Sequence, residues 1–331
     1  MRMTQARAGT ALDDTTFGPM TEPLRRDLLL HCYRFSGSLT EAEDLVQDTL
    51  AKAWRGRAGY RGEAGLRTWL RRIATRVCLD ALRSRRRTLP SAMDPVRSNE
   101  HDVLWLDPLP DHLLAGVDAD PAAAYDLRES VSLAFLTALQ RLTARQRAVL
   151  LLRDVLALRA SEVAGQLDMT ESAVTSLLHR ARRTMEASGA RPRTGRPPDD
   201  ATASLLQAYV AAWQSGDVDT LLALLKRDAI IEMPPNAFAP TGHADIRAFL
   251  AGGILDGTAD RWIGVPIGAN AGPAAAMYER TSDGDLFVGV HLLQMDDGAI
   301  GLVTAFMDPA LADRFEMPPT SALPRPRSTA R

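Results

Sequence analysis

Eight arginines crowd the stretch LRTWLRRIATRVCLDALRSRRR, residues 66–87, at positions 67, 71, 72, 76, 83, 85, 86 and 87, against one acid, Asp80. Guanidinium is a planar, permanently charged fork that matches phosphate. Leu66, Leu70, Ile73, Val77 and Ala81 recur at three- and four-residue steps, which predicts a helix with one apolar face and arginine on the others. Such a helix packs on a small domain and lays its charge along nucleic acid. A solvated basic face has the same pattern, so the remainder of the chain must decide. A second polar set, Asp44, Gln47 and Asp48, lies opposite an apolar stripe of Ala42, Leu45, Val46, Thr49, Leu50, Ala53 and Trp54.

The elements that carry these residues follow from local signals. Glu22 to Phe35 reads as a first helix. Thr40 opens the second, with Glu43 completing a capping box. A glycine-rich loop, RGRAGYRGEAG, leads into the arginine helix. Residues 88–125 hold five prolines and little periodicity, an acidic linker with one short helical piece. Helices resume near Leu127. Thr143 and Gln146 form a capping box for a helix over 144–156. A short helix near 160–167, a turn at Asp168–Met169, and Thr170 as N-cap of a helix to Met185 make a helix-turn-helix pattern, with Val174, Leu178, Ala181 and Met185 buried. EASGARPRTGRPPDD is a linker by composition. Beyond it, helices over 205–214, 218–225 and 244–255 and strands over 229–233, 262–267, 274–280, 286–295 and 299–307 read as α+β, with turns at Asp283-Gly284 and Asp297-Gly298.

The net charge of −2 over 331 residues conceals segregation. Residues 66–87 carry +7 and 141–183 carry +4; residues 92–130 carry −7 and 201–317 carry −9. Basic parts that meet nucleic acid and acidic parts that do not are the expected reading. Hydrophobic residues, at 46%, exclude wholesale disorder. The two cysteines, Cys32 and Cys78, sit inside helical patterns, which fits a reduced, cytoplasmic setting rather than a disulfide framework. No signal pattern, membrane-length apolar run or fixed-period repeat is evident, so no membrane association is expected.

TEAEDLVQDTLAKAW followed by YRGEAGLRTWLRRIATRVCLDALRSRRR resembles region 2 of the sigma-70 family, extracytoplasmic-function (ECF) group. LTARQRAVLLLRDVLALRASEVAGQLDMTESAVTSLLHRAR resembles its region 4. The stretch from LLQAYVAAWQSGDVDTLLALLKRDAIIEMPP to VTAFMDP resembles a SnoaL-like domain, the cone fold shared with nuclear transport factor 2, which some ECF factors carry in place of a separate anti-sigma protein. The implied organisation is multidomain: a tail (1–20), region 2 (21–88), an acidic linker (89–126), region 4 (127–186), a second linker (187–200), an α+β cone (201–317) and a tail (318–331), the two sigma domains being all-α.

The resemblance implies roles. Asp44, Gln47 and Asp48 dock on the clamp of the largest subunit of core RNA polymerase. Tyr60, Arg67, Thr68, Trp69, Arg71, Arg72 and Arg76 melt and read the −10 element, where unpaired bases stack on aromatic or guanidinium planes; Trp69 fits a core role equally. Thr170, Ser172, Ala173, Ser176, Leu177, Arg180, Arg182 and Arg183 lie on the helix that enters the major groove at the −35 element of promoter DNA. The sequence departs from the family at Thr175 and Leu177, where a basic residue is common, at Asp168 in place of the turn glycine, and at Arg159 in place of a Ser or Thr cap. In this family the linker runs through the polymerase channel, where its carboxylates either mimic a phosphate backbone or only solubilise.

The cone encloses a pocket, with Met233, Phe249, Tyr278, His291 and Asp308 as its expected lining and an unidentified small molecule as its expected occupant. Acid–base candidates are Asp228, Glu232, His243, Tyr278, His291 and Asp308. No two are fixed by close spacing, and His291 is expected to share a strand face with Phe287, Gly289 and Leu293. A fold does not confer activity, so no catalytic residue, cofactor or metal is expected. The competing readings are a promoter-specificity subunit with a cis-regulatory cone, a small-molecule enzyme fused to a DNA-binding module, and a polymerase-independent regulator.

Overall fold

The computed structural model describes residues 12–88, 106–115, 121–187, 200–234, 236 and 238–317. The chain divides into two compact units, residues 1–99 with 115–193, and residues 100–114 with 194–331.

In the first unit, α1 (Phe17–Thr21) and a short 3-10 turn lead into α2 (Arg25–Ser36). α2 ends at Gly37, whose φ of 76° closes the helix in the left-handed region. α3 (Leu39–Gly56) is capped by Ser38, not Thr40: Ser38 has extended backbone, and its side chain accepts from Glu41 N. Thr40 already lies inside the first turn. α3 buries Leu39, Ala42, Leu45, Val46, Thr49 and Ala53. α4 (Leu66–Thr88) buries Leu70, Ala74, Val77 and Cys78. Cys32 and Cys78 are free and buried, and burial beside Cys32 pushes the Cys78 thiol up.

α5 (Pro121–Ser130) and α6 (Leu133–Gln140) follow. α7 (Ala144–Leu150) opens with the Thr143–Gln146 capping box. The expected single helix to residue 156 instead widens into a π-turn over Leu151–Val155. Val149, Leu150, Leu151 and Leu152 are all buried, so this segment meets protein on every side. α8 (Ala160–Leu167) ends at Asp168, which takes the left-handed conformation, φ 55°, that glycine would adopt freely. Glu162 caps the backbone N–H of Arg159 at 2.7 Å. Thr170 Oγ1 accepts from Ala173 N and starts α9 (Glu171–Ala187).

A polar clasp joins the two halves of this unit. The Thr75 hydroxyl donates to the Arg71 carbonyl at 2.8 Å. Its oxygen accepts from Gln166 Nε2 at 3.1 Å and from His31 Nε2 at 3.0 Å. Arg34 Nε donates to Ser130 Oγ at 2.9 Å. Arg147, 4% exposed, donates to the Phe35 carbonyl and, at 3.1 Å, to Gln140 Oε1. Gln140 Nε2 in turn donates to the Ser36 carbonyl.

The second unit holds α10 (Asp200–Ser215), α11 (Val218–Leu224), α12 (Gly242–Ala251), α13 (Leu311–Arg314) and a five-stranded sheet. The strands are β1 (Leu225–Glu232), β2 (Trp262–Ala269), β3 (Gly272–Thr281), β4 (Gly284–Asp296) and β5 (Ala299–Phe306), in the order β1-β5-β4-β3-β2. β2 to β5 form the expected antiparallel meander; β1 adds to β5 in parallel. Leu206, Tyr209, Val210 and Trp213 of α10 pack with Ile246 and Leu250 of α12 into one core with Met277, Leu293 and Val303 of the sheet.

Part of the expected linker belongs to this unit. Leu106, Leu109 and Leu114 are buried. Leu109 N donates to Asn270 Oδ1 at 2.9 Å, Asn270 N donates to the Leu109 carbonyl at 2.8 Å, and Ala271 N donates to Asp111 Oδ1 at 2.8 Å. Asn270 and Ala271 form the β2–β3 turn with φ of 52° and 59°, the left-handed pair a two-residue hairpin turn requires. Gly268 leaves the space that the Asp111 carboxylate fills: a Cβ there would lie 2.5 Å from Asp111 Oδ2.

Burial, with the Arg71 and Arg34 charges nearby, lowers the His31 pKa to about 3 against the opposing pull of Asp27. Burial alone lowers His291 to about 4. Both are neutral when folded at pH 7. The unfolded chain binds a proton on each near pH 6.5, so between there and the folded values the unfolded state holds more protons and stability is lost as the pH is lowered. Urea unfolding of the full chain is expected to weaken below pH 6.5, by up to ~1.4 kcal/mol per pH unit for each histidine. His31→Gln should flatten the slope of the first unit; an unchanged slope would remove His31 as its source.

Candidate functional site

Three surfaces and one cavity hold the residues singled out in the sequence. On α3, Asp44, Gln47 and Asp48 are exposed, opposite the buried stripe. At the start of α4, Arg67 and Thr68 are exposed, as are Arg72 and Arg76 further along. Tyr60 and Trp69 are half-buried against each other, ring centroids 5.1 Å apart at 46°. The Tyr60 hydroxyl donates to the Ala64 carbonyl at 3.0 Å, which pins the loop beneath this pair. Trp69 is therefore neither core nor fully free. The pair offers aromatic surface beside exposed guanidinium groups, the combination that holds unpaired bases.

Arg71 is paired within the unit. Its guanidinium grips both oxygens of Asp27, with Nε to Oδ2 at 2.8 Å and Nη2 to Oδ1, while the Asp27 residue is 9% exposed. A bidentate pair at a half-buried site ties α4 to α2 and leaves this arginine occupied. Side chains of residues 85–88 lie outside the described residues.

On α9, Thr170 acts as the cap, and its hydroxyl also meets Ser172 Oγ at 3.0 Å. Ser172, Ser176, Arg180 and Arg183 are exposed; Ala173 and Leu177 are half-buried. Arg182 is held by Asp154, Nε to Oδ2 at 3.0 Å and Nη2 to Oδ1 at 2.7 Å, which braces α9 against the turn before α8 and withdraws Arg182 from the free set. His179 is exposed beside Ser176 and Arg183 at helical spacing, so it joins this face. Its position on the helix that follows the turn is the signal the sequence carries for it.

The cavity of the second unit has a volume of about 230 Å³. Met233, Phe249 and His291 line it, as expected; Tyr278 and Asp308 do not. Tyr278 packs edge-on against Phe287 at 5.3 Å. The reason is a bulge at Val288: Met277 pairs with Gly289 but Tyr278 with Phe287. The extra residue takes Phe287 off the face expected for it, and Val288 lines the cavity beside His291 instead. Asp308 is exposed and accepts from Ala310 N. Of the other acid–base candidates, Asp228 is exposed, Glu232 is half-buried, and His243 Nε2 hydrogen-bonds the Leu225 carbonyl at 3.1 Å; none lines the cavity.

No helix among the described residues is long and apolar enough to cross a membrane, and no group of three or more His, Cys, Asp or Glu among them is arranged to hold a metal ion.

Comparison with known proteins agrees with this layout. Residues 20–88 match the family Sigma-70 region 2, residues 132–185 match Sigma-70, region 4, and residues 206–301 match the SnoaL-like domain. The chain is 42% identical over 320 residues to ECF RNA polymerase sigma factor SigG of Mycobacterium tuberculosis, covering 91% of this chain and 84% of that protein. It is 33% identical over 228 residues to ECF RNA polymerase sigma factor SigJ of the same organism, covering 68% and 67%. The crystal structure of SigJ superposes with a TM-score of 0.60 at 23% identity, covering 91% of this chain and 99% of that one, and shares its fold. With both sigma regions in order on helical domains and a SnoaL-like cone after them, the chain belongs to the ECF RNA polymerase sigma factors of the sigma-70 family.

Proposed function

We propose that α3 docks on the largest-subunit clamp of core polymerase through Asp44, Gln47 and Asp48, and that the two DNA elements are read by different faces of the first unit. Tyr60, Arg67, Thr68, Trp69, Arg72 and Arg76 take the unpaired −10 strand. Thr170, Ser172, Ala173, Ser176, Leu177, His179, Arg180 and Arg183 take the −35 duplex, with Arg71 and Arg182 positioning their helices. We further propose that the second unit regulates this activity in cis, with a small molecule in its cavity as the input.

The observation that carries cis regulation is the clasp of Leu109 and Asp111 to Asn270 and Ala271. The segment between the two sigma regions is folded into the C-terminal unit. Elements centred about 25 base pairs apart are separated by about 85 Å of duplex at ~3.4 Å per step. A compact unit of this size has a radius of gyration of about 16 Å. The halves joined at Thr75, Arg147 and Gln166 must part to span a promoter, and a linker held by the cone limits how far they separate.

Run-off transcription with core enzyme tests this reading. Asp48→Arg is expected to weaken core binding in gel filtration without unfolding the protein. Arg180→Ala should cost ~1–3 kcal/mol at the −35 element. Arg72→Ala should slow promoter melting with stability unchanged, whereas Arg71→Ala should lower stability in urea because Asp27 is left half-buried without its partner. Equal melting by Arg72→Ala and wild-type protein would take Arg72 off the −10 face.

For regulation, Asn270→Ala and Asp111→Ala each remove a clasp partner, a loss of ~1–3 kcal/mol for the buried groups left behind. Faster hydrogen exchange at the Leu109 and Asn270 amides and a severalfold rise in transcription are expected. Truncation after Pro198 should change activity in the same direction. Transcription unchanged in all three proteins, with the clasp shown open by exchange, would eliminate the clasp as a regulatory contact.

A further inference from the structure

The cavity between α10, α12 and the sheet has a chemistry specific enough to name its occupant. Its walls are apolar: Ile231, Phe249, Met277 and Val303 are joined by two indoles, Trp213 and Trp262, set edge to face at 5.6 Å. Arg261 is the one formally charged residue among those lining it. Its charge is already answered: Nε and Nη2 donate to Glu279 Oε1 at 3.0 and 2.8 Å, and Nη1 donates to the Gly253 carbonyl at 3.0 Å with Asp256 at 3.4 Å.

One polar group faces this apolar space with a defined sense. Tyr209 Oη and His291 Nδ1 are 2.9 Å apart, and both residues are buried. Burial pushes the Tyr209 pKa up, so its hydroxyl keeps its proton, and lowers that of His291 to about 4, so the imidazole is neutral. His291 Nδ1 is the hydrogen-bond partner of the Tyr209 hydroxyl, and the nearby Trp213 Nε1–H is buried without a hydrogen bond. A buried hydroxyl that keeps its proton donates it to the acceptor beside it, here His291 Nδ1, since an unmade bond would be costly. The neutral ring then carries its own proton on Nε2, for which no described residue serves as acceptor.

We infer that this cavity binds an uncharged one- or two-ring apolar molecule carrying a carbonyl, its oxygen accepting from His291 Nε2–H and its rings lying against Trp213 and Trp262. The volume of about 230 Å³ is below the ~300 Å³ at which sites for larger ligands begin, which sets the ring count. A carboxylate would enter with no free countercharge and bear the desolvation cost of a buried ion. A pure hydrocarbon would leave the Nε2 donor without an acceptor.

This inference deepens the small-molecule input of the cis-regulatory reading, and it is tested by binding alone, without polymerase. Full-length protein is titrated calorimetrically with 1-tetralone, tetralin and 2-naphthoate, a neutral bicyclic ketone, its hydrocarbon and a charged counterpart. Tetralone is expected to bind one-to-one and about five- to tenfold more tightly than tetralin, the span of one hydrogen bond to a neutral donor; naphthoate should give no heat. His291→Phe should reduce tetralone to the affinity of tetralin and leave tetralin unchanged. Tyr209→Phe, a smaller change that frees the tautomer, should lose part of the ketone preference, and circular dichroism confirms that either variant is folded. Equal binding of tetralone and tetralin, tighter binding of naphthoate, no binding of tetralone up to its solubility, or a ketone preference that survives in both variants would each overturn the assignment. Ketone-selective binding with unaltered transcription would refute the input role while the site stands.

Discussion

The hydroxyl of Thr75 holds the first unit closed. It lies on the arginine-rich helix α4, and it accepts from α2 and from the helix-turn-helix at once. Arg147 and Gln140 extend the junction through the end of α2. These bonds are all polar. A junction of this kind differs physically from an apolar core: each bond is worth only ~0.5–1.5 kcal/mol net, because water replaces it on opening. The same surfaces sealed by leucine would have to expose their area to water, at ~25 cal/mol per Å². If the halves part on a promoter, as proposed, the polar bonds between them are the ones water can replace.

The arginines show why charge alone is a poor guide to the surface that meets DNA. Arg71 and Arg72 are neighbours in sequence and identical in chemistry. One is bound to Asp27 and the other is exposed. On α9, Arg182 is bound to Asp154 and Arg183 is exposed. In each pair the helix turns by about 100° between the two residues, which points one guanidinium at a neighbouring element and the next at solvent. The braced arginine ties its helix to a neighbouring element, and under the proposed roles it sets the angle at which the exposed ones are presented.

Much of the fold was legible because local pattern and burial coincide. The stripe Val174, Leu178, Ala181 and Met185, the Thr143–Gln146 cap and the four-strand meander follow from spacing and side-chain chemistry within a few residues. The site was legible to the same depth: the exposed set on α3 and the faces of α4 and α9 follow from helical period. What escaped depends on partners distant in sequence. Asp27 is 44 residues from Arg71, and Asn270 is 161 from Leu109. The Val288 bulge shifts the face of β4 by one residue, which no period-two count anticipates, and it exchanged Phe287 for Val288 at the cavity wall. Asn270-Ala271 lacks glycine, so its turn gave no strong signal; it holds its left-handed pair with the help of the segment it binds.

The cavity and the linker clasp share a pair of strands, and the proposed input from a small molecule depends on that link. β2 begins at Trp262, a cavity wall, and ends at Ala269, next to the clasp turn; β3 returns from Gly272 to Met277, again at the wall. Gly264 brings β2 so close to α10 that a Cβ there would lie 2.9 Å from a Val210 methyl. Tyr209 and Trp213 lie on the same helix. An occupant that moves these rings therefore cannot leave β2 in place, since packing this tight transmits displacement rather than absorbing it. The turn at its end keeps hold of Leu109 and Asp111 only within hydrogen-bond reach, so a shift of a fraction of an ångström changes the strength of the clasp. Coupling of this kind has a strict condition: the occupant biases the linker only by the difference between its affinities for the clasped and released forms, and the clasp in turn alters ligand affinity by the same factor.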